Sequence, residues 1–187
     1  MRLSRHHELM KAELVNARFH ELITLRLPWL VIGLVGGLLA SVIVSRFETT
    51  LQENIALAFF IPIIAYMSDA VGTQTETILI RALTNLKFNI YKYFFREVCV
   101  GALMGSVMGI LTGIFASILS SSSTIGFVVG LSLALSMSVA TGLACITPLI
   151  LRYFNKDPAV GAGPFTTALQ DVVSLMIYFS VVVIVLG

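Results

Sequence analysis

The chain has 187 residues, of which 57% are hydrophobic and 12% charged, with a net charge of +2; an ordinary soluble domain is roughly a quarter charged. A soluble fold of this size still leaves about 30% of its unfolded-chain surface in water, so the composition excludes a soluble protein and points to a bilayer. The small net charge and scattered cations exclude a nucleic-acid partner. Cys99 and Cys145 both lie inside apolar runs and offer neither a disulfide framework nor a cysteine metal cluster.

Residues 1–27 carry Arg2, Arg5, His6, His7, Glu8, Lys11, Glu13, Arg18, Glu21 and Arg26 without a small-residue cleavage pattern, which argues against a signal peptide. They read as an amphipathic cytoplasmic lead-in helix. A membrane-spanning helix needs about 20 apolar residues, and residues 28–46, 54–83, 92–119, 124–151 and 163–186 each supply such a stretch. The expected fold is all-α: a lead-in helix over 1–27 and an integral membrane bundle of five transmembrane helices over 28–187.

Charge placement supports the odd number, because Lys and Arg accumulate on the cytoplasmic side of short loops. With the N-terminus inside, Arg2, Arg5, Lys11, Arg18, Arg26, Arg81, Lys87, Lys92, Arg96, Arg152 and Lys156 all fall inside and only Arg46 falls outside. A four- or six-span chain would scatter them over both faces. The protein is therefore expected in the cell membrane as a multi-pass chain, N-terminus cytoplasmic and C-terminus extracytoplasmic.

Gly101, Gly105, Gly109 and Gly113 recur every fourth residue in the third span, a spacing that lets two helices approach closely in lipid. Gly33 with Gly37, and Gly126 with Gly130, repeat it more weakly. Glu97 lies within a turn of Arg96 and Lys92 and reads as an interfacial ion pair.

The second span is unusually polar. Asp69, Thr73, Glu76 and Thr77 stand at i, i+4, i+7 and i+8, on one helical face. Pro62 and Gly72 point to a bent or partly unwound segment. In the fifth span Gly163, Thr167, Asp171, Ser174 and Tyr178 form a second stripe. An ionisable group at membrane depth costs at least about 2.5 kcal/mol on insertion scales and usually faces a polar path. The alternative is that these acids hydrogen-bond hydroxyls and hold helices together, or that Asp69 and Glu76 pair with basic residues.

All three histidines precede the first span, so the membrane region lacks the soft ligands preferred by Zn, Cu or Ni. The remaining oxygen ligands suit Mg, Ca or Mn, and Mg is commonly held by one or two carboxylates with its waters retained. Two copies about a two-fold axis, the commonest oligomer, would pair their Asp171 carboxylates around a divalent cation. The membrane potential would then contribute roughly 4.6 kcal/mol per 100 mV for a doubly charged ion. No Gly-rich phosphate loop ending in Lys-Ser or Lys-Thr is present, so no ATP site is implied.

Arg26-Leu27-Pro28-Trp29-Leu30, Gly72-Thr73-Gln74-Thr75 with Arg81-Ala82-Leu83, and Asp157-Pro158-Ala159 through Gly163-Pro164-Phe165-Thr166-Thr167 to Asp171 resemble the membrane domain of MgtE-type magnesium channels and their solute-carrier relatives. The resemblance covers about residues 26–187. It implies a homodimer of five-helix subunits with a pore at the interface, lined by the second and fifth helices. It also implies that Asp171 holds a hydrated Mg2+, that Thr73 and Thr77 lie beside it, that Gln74 shares the motif and that Asp157 sits at the cytoplasmic mouth. Stripes and resemblance together assign Asp171, Asp69 and Thr73 to the metal. They assign Gln74, Glu76, Thr77, Gly163, Thr167, Gln170 and Ser174 to the pore wall, and residues 1–27 to a plug-like helix.

The chain departs from the family at Ser68-Asp69-Ala70-Val71, where a Gly-Gly-Asn-like stretch is usual. An added acid is expected to raise divalent attraction or relax selectivity toward Mn2+, Ca2+ or Co2+. Family members often carry an acidic cytosolic domain and paired CBS domains before the membrane part, and 27 residues cannot hold them. The expectation is a naturally short member or an excised membrane domain without that regulatory domain. Passive divalent transport is the leading function. Proton-linked transport through Asp69 and Glu76 is an alternative, a non-conducting assembly subunit a weaker one. An intramembrane aspartyl protease pairs two membrane aspartates, but Ser68-Asp69 and Gln170-Asp171 do not match its Tyr-Asp and Gly-x-Gly-Asp contexts, so the chain is not expected to be an enzyme.

Overall fold

The computed structural model describes residues 18–85 and 88–187, the side chains of Thr84 and Asn85 excepted. Arg2, Arg5, Lys11 and Lys87, and residues 1–17 of the lead-in expected over 1–27, lie outside the described residues. The described residues form helices and short turns, with no strand among them. In order these are α1 (Phe19–Ser45), α2 (Glu48–Glu53), a 3-10 segment (Ile55–Phe60), α3 (Ile61–Asn85), α4 (Ile90–Ser120), α5 (Ser123–Tyr153) and α6 (Pro158–Leu186). Five helical stretches are long and apolar enough to cross a membrane, and each overlaps one of the expected spans. The chain is a multi-pass membrane protein.

Helix α1 is unbroken from Phe19 through Pro28 to Ser45, so the described part of the lead-in, residues 19–27, continues directly into the first span. The expected bend in the second span lies elsewhere. Pro62 is in the first turn of α3, just after the 3-10 segment, where its missing N–H has no intrahelical acceptor to lose. The helix then runs through Gly72 without interruption. Local capping chemistry sets the other ends. The Asn89 side chain accepts from the Lys92 N–H at 3.1 Å to start α4, and Ser121 ends it in the left-handed region at φ 52°. Ser122 Oγ accepts from the Ile125 N–H at 3.4 Å to start α5. Asp157 Oδ1 accepts from the Ala159 N–H at 2.9 Å, with Pro158 opening α6.

The most buried span is α5. It packs along α4 on the glycine ladder: Gly101 meets Thr141, Gly105 meets Ala134, Gly109 meets Gly130 and Gly113 meets Gly126. These pairings are antiparallel and close. A Cβ on Gly105 would lie 2.7 Å from the Ala134 carbonyl oxygen, and one on Gly113 2.8 Å from that of Gly126. Small residues therefore let van der Waals packing join helices that lipid would otherwise separate.

The apolar core lies between α3, α5 and α6, with Ile64, Val71, Leu133, Met137, Leu175 and Phe179 among its members. Helix α1 is peripheral and runs parallel to α6, with Trp29 over Gly161 and Gly36 against Ala168. Phe47 stacks on Phe179 with ring centroids 4.1 Å apart. The 3-10 segment folds over the far end of α6, where the Tyr178 hydroxyl donates to the Leu57 carbonyl at 2.8 Å.

Candidate functional site

Helices α3 and α6 lie antiparallel and carry the two polar stripes. On α3, Ser68, Val71, Thr75 and Leu79 are buried, while Thr73, Gln74 and Thr77 are exposed and Asp69 is half-buried. On α6, Gly163 is exposed and Thr167 and Asp171 are half-buried. One open face thus holds Asp69, Thr73, Gln74, Thr77, Gly163, Thr167 and Asp171.

The two helices are tied across this face by the Thr167 hydroxyl, which donates to Asp69 Oδ1 at 2.6 Å. Asp171 lies within electrostatic reach of Asp69. So does Glu76, whose carboxylate sits beside the Thr166 hydroxyl. Glu76 and Asp171 thus both feel the charge of Asp69. Among the described residues no set of three His, Cys, Asp or Glu side chains gathers closely enough to hold a metal ion.

Other residues of the stripes turn inward. Gln170 is 1% exposed, and its Nε2 donates to the Ala140 carbonyl of α5 at 3.0 Å. The room for that amide is the missing side chain of Gly72, where a Cβ would run into Gln170 Nε2. Gln170 therefore links α3, α5 and α6 from inside the bundle. Glu76 is buried too. Ser174 is buried, with its Oγ donating to the Asp171 carbonyl at 3.2 Å and its own carbonyl accepting from Ser136 Oγ at 3.5 Å. Tyr178 is fully buried beneath the 3-10 segment. The α6 stripe is thus open along Gly163, Thr167 and Asp171 and covered beyond them. Asp157 stands at the start of α6, where its carboxylate serves as the helix cap.

The expected ion pair of Glu97 is present, with Oε1 3.5 Å from an Arg96 guanidinium nitrogen. The residue is nevertheless buried rather than exposed at an interface, and its Oε2 accepts from the Thr75 hydroxyl of α3 at 3.2 Å. The signal was present in the sequence. Tyr93, Glu97, Gly101, Gly105 and Gly109 are the buried face of α4, and Glu97 continues the glycine series at the same four-residue interval.

The profile of the MgtE family, described as a divalent cation transporter, matches residues 61–181, which spans α3 to most of α6. Three similar relatives are proteins called Magnesium transporter MgtE. The one from Bacillus subtilis is 38% identical over 159 residues, covering 83% of this chain and 35% of the relative. Those from Thermus thermophilus and Enterococcus faecalis are 32% and 31% identical, with the same coverage. The chain spans about a third of the length of these relatives. With a profile match over most of the membrane-spanning region and relatives this similar, the chain belongs to the MgtE divalent cation transporter family.

Proposed function

We propose that this chain forms a passive membrane pathway for Mg2+ at the seam between two identical copies, with the open faces of α3 and α6 apposed across a two-fold axis. One observation carries the reading: Asp171 is only half-buried on a polar face at membrane depth. Leaving such a group to lipid costs at least about 2.5 kcal/mol on insertion scales, whereas a second copy encloses it with water. Two Asp171 carboxylates then share one hydrated divalent ion, as Mg2+ is commonly held through few carboxylates with its waters retained. Asp69, Thr73, Gln74, Thr77, Gly163 and Thr167 line the approach. Asp157 faces the cytoplasmic mouth, and Glu76, Gln170 and Ser174 support the wall from behind.

The hard oxygen ligands also admit Mn2+, Ca2+ or Co2+, and Asp69 strengthens attraction to any of them. Arg18, Arg26, Arg81, Lys92, Arg96, Arg152 and Lys156 lie at one end of the bundle and Arg46 at the other, so the positively charged end is cytoplasmic in the cell membrane. Residues 1–27 act as a plug-like lead-in and 28–187 as the pore domain. The chain transports rather than catalyses.

Replacing Asp171 with Ala and following Mg2+ influx into vesicles reconstituted with the protein tests the assignment. Influx falls to the level of protein-free vesicles; wild-type influx refutes it. The influence of Asp69 on both Glu76 and Asp171 supports a second reading, proton-linked transport. An imposed pH gradient that drives Mg2+ uphill would select that reading over the passive one.

A further inference from the structure

Thr75 and Glu97 lie away from the open face, yet their contact bears on it. Among the described residues the α3 and α4 backbones make little direct approach and each packs on α5; Leu79 and Leu83 of α3 share a small apolar cluster with Tyr93 and Phe94 of α4 around Cys145, and the Thr75 to Glu97 hydrogen bond of 3.2 Å is the polar contact that reaches across between them. Thr75 is 3% and Glu97 8% exposed. The second carboxylate oxygen of Glu97 faces Arg96 at 3.5 Å, and Arg96 lies over the Tyr93 ring, 5.3 Å from its centroid. On the α4 side the carboxylate is thus paired with Arg96, and it presents its other oxygen to α3.

The position of Thr75 gives this contact its consequence. Successive residues of an α-helix turn by about 100°, so residues two positions before and after Thr75 point about 200° away, to the opposite side of the helix. Those residues are Thr73 and Thr77. A tether at Thr75 therefore resists rotation of α3 about its own axis from directly behind the two threonines, adding to the contacts α3 makes with α5 and α6. Intrahelical hydrogen bonds do not resist such a rotation; only contacts with neighbouring helices do.

We propose that Glu97 is a positioning residue of the cation pathway: by accepting the Thr75 hydroxyl from across the α3 to α4 gap, it holds α3 in the setting that presents Thr73 and Thr77 to the ion. This rests on the reading that the open face of α3 and α6 lines the pathway. The function of Glu97 requires an acceptor oxygen rather than a negative charge, so glutamine retains it and alanine loses it.

The test uses the 187-residue chain in vesicles, with Mg2+ and Co2+ influx measured separately for Glu97→Ala, Glu97→Gln, Thr75→Val, Thr75→Ser and the Thr75→Val/Glu97→Ala double variant. Glu97→Ala and Thr75→Val each lower Mg2+ influx by up to about tenfold, the upper end of what losing one hydrogen bond costs, and both change the ratio of Mg2+ to Co2+ influx. Glu97→Gln and Thr75→Ser restore influx and ratio, and the double variant matches either damaging single variant. Glu97→Gln as slow as Glu97→Ala, an unchanged ion ratio, or losses that multiply in the double variant overturns the proposal. If Glu97→Ala does not fold, the contrast between Thr75→Val and Thr75→Ser decides it by the same criteria. Asp171→Ala in the same assay separates the two claims. Influx through Asp171→Ala removes the pathway reading, whereas a silent Asp171→Ala beside a wild-type Glu97→Ala removes the role of Glu97 alone.

Discussion

Replacing Gly72 with alanine adds one methyl group where α3 meets the Gln170 amide, and that Cβ would run into Nε2 and lie 2.7 Å from both Cδ and Oε1. The amide must move, and the move breaks its 3.0 Å bond to the Ala140 carbonyl. A buried polar group left without its partner costs about 1–3 kcal/mol, and overpacking a filled site costs about 1–3 kcal/mol. Against this, alanine is preferred over glycine in a helix by about 1 kcal/mol, leaving a net destabilisation of about 1–5 kcal/mol. Trp29 is the single tryptophan and lies over Gly161 of α6, so its fluorescence during denaturant titration in detergent reports the unfolding of this part of the bundle. Gly72→Ala lowers the midpoint, and the Gly72→Ala/Gln170→Ala pair recovers part of the loss because the clashing amide is gone, with a coupling of at least about 0.5 kcal/mol. A Gly72→Ala protein as stable as wild type, or a double variant whose loss equals the sum of the singles, refutes the interlock.

Gly105→Ala pushes a methyl group to 2.7 Å from the Ala134 carbonyl oxygen and separates α4 from α5, whereas Gly37→Ala meets nothing within 4 Å. Thermal unfolding in detergent should show Gly105→Ala less stable by about 1–3 kcal/mol and Gly37→Ala equal to wild type or slightly more stable. Asp157→Ala removes the cap of α6 and costs about 1 kcal/mol, while Asp157→Asn keeps an equivalent cap. If Asp157 also attracts ions at the mouth, Asp157→Asn lowers Mg2+ influx at low ionic strength with stability intact; wild-type influx at every ionic strength leaves Asp157 as a cap alone.

The spans were legible because the bilayer imposes one length on every crossing helix, and the glycine ladder because a four-residue period is a statement about one helix face. The same periods placed Asp69, Thr73, Thr77, Thr167 and Asp171 on shared faces, and the Thr167 to Asp69 bond joins the two stripes. Period alone does not reveal what covers a face. Ser174 and Tyr178 continue the α6 stripe, yet the 3-10 segment Ile55–Phe60, more than a hundred residues earlier, closes over its end through Leu57. Gln170 is polar and adjacent to Asp171, but the notch at Gly72 draws it inward, a contact between distant parts of the chain. Pro62 reads as a helix breaker until the turn before it is known, and then it is a helix opener. Glu97 was readable as a buried residue from its register with Gly101, and its neighbours Arg96 and Lys92 obscured that.

A structure of the protein in a bilayer with Mg2+ present, read at Asp171, tests the pathway most directly. Two copies related by a two-fold axis are expected, with one hydrated ion between their Asp171 carboxylates. Asp171 facing lipid, or sealed within one copy with no water route to it, would rule the pathway out.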